Sequence, residues 1–385
     1  MSKNSKQSKN SRHSELNGPI VYVAMSGGVD SSVAAALLVK AGYRVVGIFF
    51  KPWSPTRTVG FCNWQADRLD AMRVAAKLAV EFKTWDFSRQ YGRRVAQYMI
   101  NGYRAGITPN PDVMCNKEIK FGLFLQKALK EGADYIATGH YARISPEVRP
   151  QETSPSSHLK LLKAKDKNKD QTYFLWTLTQ AQLKHCLFPI GEYTKPAVRK
   201  LAKKFGLPNH AKKDSQGVCF VGELDMKEFL KEYIKPEHGE IHLVVEPLSS
   251  RLSGLTTKVI GTHEGAAYYT IGQRHGLNIT IGGGPYYVVK KEKNTIYVDK
   301  FRMTNVECRI NDLNWINVQK FPVQASVKIR YRTEEIPATV FKNGEIKFKK
   351  NVFSVTPGQS AVIYSGQEVL GGGIFQSSPP VGESA

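Results

Sequence analysis

The sequence predicts an α/β chain: an N-terminal parallel-sheet domain, then a strand-dominated stretch beyond about Gly222 that ends in a small barrel or sandwich. Three observations carry this prediction. The apolar run Ile20-Val21-Tyr22-Val23-Ala24-Met25 empties into the turn Ser26-Gly27-Gly28-Val29-Asp30-Ser31-Ser32 and then a helix. Strand and helix patterns alternate with short connections from Ile20 to about Phe87, which implies parallel strands covered by helices. From about Val298 onward short strands are separated by turn dipeptides, the pattern of a small barrel or sandwich.

In order, the N-terminal pattern reads as strand 20–25, helix 32–40 stopped by Gly42, strand 44–50, helix 66–82 and strand 84–87. Sheets of this kind bind ligands beyond the carboxyl ends of their strands, where the glycine turn lies. Ile136-Ala137-Thr138-Gly139-His140 makes a second such end, with His140 either a satisfied buried histidine or a functional one. Pro146 to Ser157 is Pro/Ser-rich and reads as a surface loop. The lysine-rich stretch 159–169 precedes Asp170-Gln171-Thr172-Tyr173-Phe174-Leu175-Trp176. It reads either as a solvated face or as a surface that neutralises a nucleic-acid backbone beside stacking aromatics. Helical periodicity fades beyond about Gly222, and strands follow at 325–331, 338–341, 345–350 and 360–364. Asn343-Gly344, Pro357-Gly358 and Ser365-Gly366 supply the turns. Lys328, Arg330 and Arg332 alternate along one strand and so share a face suited to phosphates.

At 385 residues the chain has room for two or three domains. Its 55 Lys+Arg against 33 Asp+Glu give +22, which favours a polyanionic partner, nucleic acid first, over mere solubility. Cys62, Cys115, Cys186, Cys219 and Cys308 are odd in number and irregularly spaced, which suits a reducing compartment better than a disulfide framework. No C-x-x-C pair supports a four-thiolate zinc site. Without an apolar run of membrane-spanning length or a secretory leader, the expectation is a soluble cytoplasmic protein with no membrane partner. The first 17 residues, rich in Ser, Lys and Asn, read as a disordered basic arm.

The glycine turn carries the first chemistry. Adjacent glycines let the backbone aim several N–H groups at one anion, and the new helix adds its unpaired donors and positive dipole end. The hydroxyls of Ser26, Ser31 and Ser32 are further donors. No lysine follows the glycines, so the loop is not a Walker A motif. Asp30 would repel a triphosphate unless Mg²⁺ lay between them, which assigns Asp30 to the metal. The plainer reading is a capped strand-to-helix turn.

Two cysteines carry the second. Pro109 and Pro111 rule out a helix before Cys115, and helical periodicity from Glu118 onward places the thiol near a helix N-terminus. There the dipole and Lys117 lower a thiol pKa, with Asp112 opposing if it is near and charged. Cys219 lies in a glycine-flanked loop after Lys212-Lys213, again a setting for a reactive thiol. Burial is the alternative for either one, and Cys62, Cys186 and Cys308 take the buried or incidental reading.

The loop 26–32, the segment Asn110-Pro111-Asp112-Val113-Met114-Cys115 through Phe121, Thr138-Gly139-His140-Tyr141, Lys169-Asp170-Gln171 and Lys213 to Gly222 occur together in this order. Together with Thr270-Ile271-Gly272-Gln273-Arg274 and Thr356-Pro357-Gly358-Gln359-Ser360-Ala361, they resemble the tRNA-specific 2-thiouridylase (MnmA-type) family. That family is part of the wider ATP pyrophosphatase (PP-loop) group. The resemblance runs from about Ile20 to Phe375. Beyond the disordered basic arm at 1–18, which falls outside it, the resemblance implies a Rossmann-like ATP pyrophosphatase domain (adenine nucleotide alpha hydrolase-like) at 19–218, a central β-rich domain at 219–297 and a tRNA-holding β-barrel at 298–385.

The implied reaction is adenylation by ATP of the 2-carbonyl oxygen of a wobble uridine, then replacement of that oxygen by persulfide sulfur. Cys219 would take the persulfide from a sulfur-donor or sulfur-relay protein, and Cys115 would attack it, leaving a Cys115–Cys219 disulfide or releasing sulfide. Ala24, Met25, Ser26, Gly27, Gly28, Val29, Asp30, Ser31, Phe50 and Gly139 would bind ATP. Asn110, Pro111 and Asp112 would contact the target base, with Asp112 as proton shuttle. Lys169, Asp170, Gln171, Arg330, Tyr331 and Arg332 would touch tRNA. Asp112, Cys115 and Cys219 as ligands of an iron–sulfur cluster form an alternative sulfur route. The chain departs from familiar members at Lys51-Pro52-Trp53-Ser54-Pro55-Thr56-Arg57, where they are acidic, and at Phe50, often methionine. Two other functions stay open: an ATP pyrophosphatase that amidates or ligates a small metabolite, and a tRNA-binding protein that keeps a relic nucleotide fold.

Overall fold

The computed structural model describes residues 18–54, 64–145, 158–214, 225–245, 256–279, 281–300, 304–317 and 319–376. Cys62, Cys219, the basic arm and the 146–157 loop lie outside them. The N-terminal half supplies β1 (Ile20–Ala24), β2 (Arg44–Lys51), β3 (Glu81–Asp86), β4 (Tyr135–Ala137), β5 (Ala142–Ser145), β6 (Lys160–Lys163) and β7 (Cys186–Leu187). Five of these form a parallel sheet in the order β3-β2-β1-β4-β7. The near-continuous apolar runs of β1 and β2 are what a strand covered on both faces requires. Alternate residues face opposite ways: Val21, Val23, Val45 and Phe49 pack with the helices α1 (Val29–Lys40) and α2 (Trp64–Leu78). Tyr22, Val46, Ile48 and Phe50 pack on the other side, where the helical segments between residues 88 and 130 lie.

Two of the boundaries that differ from the sequence reading bear on the site. Helix α2 ends at Leu78 rather than at residue 82, because Ala79 takes a left-handed φ of 54° and Val80 N–H closes back on the Ala75 carbonyl at 3.0 Å. Phe82 then enters β3 opposite Gly47 and packs on the core from a strand. The helix carrying Cys115 begins at Pro111, not at Glu118. Proline is at home at the first helical position, where its missing N–H costs nothing. Asn110 caps that end, its side-chain oxygen accepting from the N–H groups of Asp112 and Val113 at 3.1 and 3.2 Å. From Pro111 the helical path continues through the wider π-type turns of Asn116–Phe124 to Lys130.

The central domain is a four-stranded sheet of β8 (Gly239–Val244), β9 (Thr257–His263), β10 (Tyr287–Glu292) and β11 (Thr295–Asp299) in the order β10-β11-β8-β9. Helix Met226–Lys231 covers it, capped by Asp225, and its Phe229 and Leu230 share a core with Met99, Ile100 and Tyr103 of the N-terminal domain. The last domain holds β12 (Thr304–Trp315), β13 (Val323–Lys328), β14 (Ile336–Val340), β15 (Glu345–Phe353), β16 (Ser360–Ser365) and β17 (Glu368–Phe375). These run β12-β15-β14-β13-β16-β17, and pairing of β12 with β17 closes the barrel.

The N-terminal half is stitched into this barrel. β5 and β6 pair antiparallel, and β6 adds to β17. The aromatic run after the lysine stretch is the seam and not a stacking platform: Tyr173 and Trp176 are 1% and 2% exposed. Tyr173 donates its hydroxyl to the Ser360 carbonyl at 2.9 Å, and Trp176 Nε1–H donates to Ser360 Oγ at 3.0 Å. A second seam reaches the Cys115 helix. The Thr108 N–H donates to the Pro357 carbonyl at 3.0 Å, and Gln359 donates to the Thr108 carbonyl at 2.7 Å. The barrel turn Pro357-Gly358 thus fixes the chain two residues before Asn110. Among the described residues, no helix is long and apolar enough to cross a membrane.

Candidate nucleotide and thiol site

The glycine turn sits at the carboxyl end of β1, with Gly28 as the N-cap of α1. Gly27 has φ +78°, and a Cβ there would lie 2.2 Å from the Asp67 carbonyl oxygen of α2. The turn also touches the second strand end, since a Cβ on Gly139 would meet the Ser31 nitrogen at 2.7 Å. Only part of the expected donor set faces outward. Ser32 is wholly buried and donates its hydroxyl to the Gly28 carbonyl at 2.8 Å. Ser31 Oγ donates to the same carbonyl at 3.2 Å and accepts from Ser26 N–H at 3.2 Å. Those two hydroxyls shape the loop, which leaves the exposed Ser26 as its outward-facing hydroxyl, a correction to the count of three. Met25, Val29 and Phe50 are buried too, so Met25 and Val29 offer backbone alone, and Phe50 packs edge-on against Phe124 at 4.8 Å.

Asp30 leads into a charge network that the sequence does not reveal. Both of its carboxylate oxygens accept from Lys195 Nζ, at 2.7 and 2.8 Å, and Oδ1 also accepts from the Tyr141 hydroxyl at 2.9 Å. Lys195 opens helix Lys195–Lys204, 165 residues further along the chain. Its ammonium reaches Asp214 Oδ1 at 2.8 Å, where Lys169 and Arg199 also pair at 2.7 Å each. Burial alone would raise the Asp214 pKa, yet hydrogen bonds from Lys169 and Lys195 hold it down at about 2. Asn209 donates to the Gly27 carbonyl and to Ser32 Oγ, both at 2.9 Å, and Lys212 grips Asp67 and Asp70 of α2 at 2.6 and 2.7 Å. The stretch from Asn209 to Asp214 is therefore held at three points, to the loop by Asn209, to α2 by Lys212 and to Lys195 by Asp214, immediately before the segment that holds Cys219.

A folded pKa below the unfolded value means that Asp214 stabilises the fold fully above the ordinary carboxylate range, a contribution lost as pH falls toward 2. The urea midpoints of wild type and Asp214→Asn should differ by a constant amount from about pH 5 to 8 and converge below about pH 4. A gap that widens in acid would refute this ion pairing.

Mg²⁺ usually takes one or two carboxylates plus substrate phosphates and waters. Asp30 fits such a place as the loop's own acid, with Lys195 competing for the same oxygens. Among the described residues no group of three or more His, Cys, Asp or Glu could hold a metal by itself. Asp112 and Cys115 therefore gain no third described ligand for an iron–sulfur cluster.

Cys115 closes the five-residue helix Pro111–Cys115 and is 0% exposed, in a cluster with Phe50, Phe87, Val95 and Ile119. The thiol is thus a full turn past the Pro111 start of the helical path rather than at its N-terminus, and it is covered. Cys186 is buried with its thiol pushed up by burial, and burial raises Cys308 to about 12. Both keep the incidental reading. His140 is buried against Phe121 and Phe188, with Nδ1 2.7 Å from Thr138 Oγ1. Burial and then Lys120 hold its pKa well below the ordinary value, so the ring is neutral at pH 7.

The residues expected to touch tRNA divide. Asp170 is buried, accepting from Ala164 N–H at 2.9 Å and Thr172 Oγ1–H at 2.8 Å, and Gln171 accepts from Tyr141 N–H at 3.0 Å. β13 ends at Lys328, so Lys328, Arg330 and Arg332 do not alternate along one strand. Lys328 turns toward Asp170 at 3.7 Å. Arg330 donates to the Ile271 carbonyl at 3.0 Å and to the Ser354 carbonyl at 3.2 Å, bracing the barrel against the central domain. Tyr331 packs on Phe174 at 4.5 Å, while Arg332, at φ 63°, is exposed.

With this geometry in view, the likeness to known proteins is specific. The tRNA methyl transferase HUP domain family matches residues 20–223, the tRNA methyl transferase PRC-barrel domain family 227–300, and the aminomethyltransferase beta-barrel domain family 305–375. The tRNA-specific 2-thiouridylase MnmA 2 of Geobacillus kaustophilus is 45% identical over 92% of this chain and 93% of its own length. The chain belongs to the tRNA-specific 2-thiouridylase family. Its members from Bacillus subtilis and Nitrosococcus oceani are 43% and 42% identical, covering 92% and 95% of this chain and 94% and 99% of their own lengths. Tyr141 closes the Thr138-Gly139-His140-Tyr141 motif, whereas Lys195, Asn209 and Arg199 around the same loop carry no local signature by which sequence could have found them.

Proposed function

We propose that this chain is an ATP-dependent sulfurtransferase that makes 2-thiouridine at the wobble uridine of tRNA. The observation that carries the reading is the full-length match to 2-thiouridylases, at 45% identity, in a chain whose strand-end loop is built for phosphate. A 2-carbonyl oxygen is a poor leaving group. Its attack on the α-phosphorus of ATP releases pyrophosphate and converts it into a good one, AMP. Backbone N–H groups of the loop from Ser26 to Ser31 would bind and orient the phosphates, and Mg²⁺ would neutralise part of their charge, with Asp30 as the protein carboxylate at hand. Gly139 keeps the two strand ends in contact.

The segment Asn110-Pro111-Asp112 at the open end of the Cys115 helix would meet the base, with Asp112 moving its proton. Cys219 would carry the persulfide delivered by a sulfur-relay protein. Attack by the Cys115 thiolate on the outer sulfur makes a Cys115 persulfide and frees the Cys219 thiol. Its terminal sulfur then displaces AMP at C2. Cys219 next attacks the inner Cys115 sulfur, so that the C2–S bond is kept, the S–S bond breaks, and a Cys115–Cys219 disulfide remains for an outside thiol to reduce. Family membership favours this over a small-metabolite ligase, for which the two thiols would have no role.

Nucleoside mass spectrometry on unmodified tRNA incubated with the protein, Mg-ATP and a persulfide donor tests the reading. The expected result is ATP-dependent gain of one sulfur for one oxygen at the wobble uridine. No gain from folded protein that binds ATP would overturn it. The exposed Arg332 is the better candidate for gripping a phosphate, so Arg332→Ala should lower the slope of log affinity against log salt by about one for each phosphate that the side chain neutralises. Arg330→Ala should instead lower the melting temperature, at about 1–3 kcal/mol, because the Ile271 and Ser354 carbonyls lose a charged donor and are left to share the Thr356 hydroxyl. An unchanged salt slope for Arg332→Ala would remove it from the tRNA surface.

A further inference from the structure

We propose that Lys195 is a positioning residue of the nucleotide site, whose ammonium sets the charge that a polyphosphate meets at the glycine loop. The inference rests on the ATP-dependent reading above. The loop lacks the lysine of a Walker A motif and carries a carboxylate in its place, at the second residue of α1. Lys195 supplies the missing cation from a distant helix. It is 9% exposed, lies 2.7 and 2.8 Å from the two Asp30 oxygens, and is held in place from behind by Asp214 at 2.8 Å.

The two carboxylates do not depend on it equally. Without Lys195, Asp214 keeps Lys169 and Arg199, whereas Asp30 keeps only the neutral Tyr141 hydroxyl among the partners seen here. Loss of the ammonium therefore leaves a bare negative charge beside the α1 N-terminus, where it opposes an anion that the loop and the helix dipole attract. The penalty should scale with ligand charge, being large for ATP and absent for adenosine. Removing the Asp30 charge as well should lift it.

Affinities of metal-free ATP and of adenosine for the full-length chain, measured by calorimetry in EDTA so that no Mg²⁺ engages Asp30, in wild type, Lys195→Met, Lys195→Arg and Asp30→Asn/Lys195→Met, test this. Lys195→Met should weaken ATP at least about tenfold with adenosine within about twofold, Lys195→Arg should restore most of the loss, and the double variant should return to within about threefold of wild type. Equal losses of ATP and adenosine would make Lys195 a structural strut and overturn the proposal. So would ATP binding that does not recover in the double variant, because Asp30 would then be required in its own right. Should Lys195→Met fail to fold, Lys195→Arg and the double variant, neither of which leaves Asp30 as an unpaired carboxylate, decide the matter. A wild-type chain that binds no ATP at all would instead defeat the functional reading beneath it.

Discussion

Cys115→Ser and Cys115→Ala should both abolish sulfur transfer to tRNA, by about a thousandfold or more in single-turnover rate, while ATP affinity stays at the wild-type value. The thiol sits on the inner side of a short helix whose entry is fixed twice, by the Asn110 cap and by the barrel turn at Thr108. Nothing else at that point of the helix can carry sulfur. Two variants are needed because the site is 0% exposed: serine buries a hydroxyl at a cost of about 1–3 kcal/mol if it finds no partner, whereas alanine leaves only a small void. If alanine melts near wild type and is inactive, the loss is chemical. The same burial predicts that iodoacetamide alkylates Cys115 in the free enzyme far more slowly than an exposed thiol, so attack on a persulfide requires the helix to be uncovered when substrates bind. Retained turnover in both variants would remove Cys115 from the sulfur route.

What the sequence made legible was local. The loop after β1 could be read because strand, glycine pair and helix are contiguous, and the turns at Asn343-Gly344 and Pro357-Gly358 because φ at Gly344 and Gly358 is positive, 82° and 89°. The start of the Cys115 helix was misplaced by treating Pro111 as a breaker when it occupies the one helical position that tolerates proline. Other failures were tertiary. The run from Tyr173 to Trp176 has the composition of a stacking surface, yet it is consumed by the seam with β16, and Asp170 is buried by its contacts with Ala164 and Thr172. Arg330 and Arg332 looked coplanar only while the strand was assumed to run past Lys328. The Lys195 network joins residues 165 positions apart, and no periodicity or spacing encodes such a contact.

The two glycines of the loop, equivalent in the sequence, should respond in opposite ways to one methyl group. At Gly27 an alanine must hold φ near +78°, which costs about 1–2 kcal/mol on its own. Its Cβ would also stand 2.2 Å from a backbone oxygen, that of Asp67, which cannot rotate away. Asp67 is itself gripped by Lys212 at 2.6 Å, so a shift of α2 pulls on the stretch that also binds Gly27 through Asn209. Gly27→Ala should thus lower the melting temperature by several degrees and weaken ATP by about a hundredfold or more, with tRNA affinity near wild type because the barrel is untouched. At Gly28 the backbone is extended, φ −82°, and the nearest atom to an added Cβ is the rotatable Ser26 Oγ at 3.3 Å. Gly28→Ala should therefore melt with wild type, within about 2 °C. Equal melting of the two variants would mean that the loop is not held against α2. A stable Gly28→Ala chain that no longer binds ATP would show instead that the phosphate approaches the backbone at Gly28 more closely than a methyl group allows.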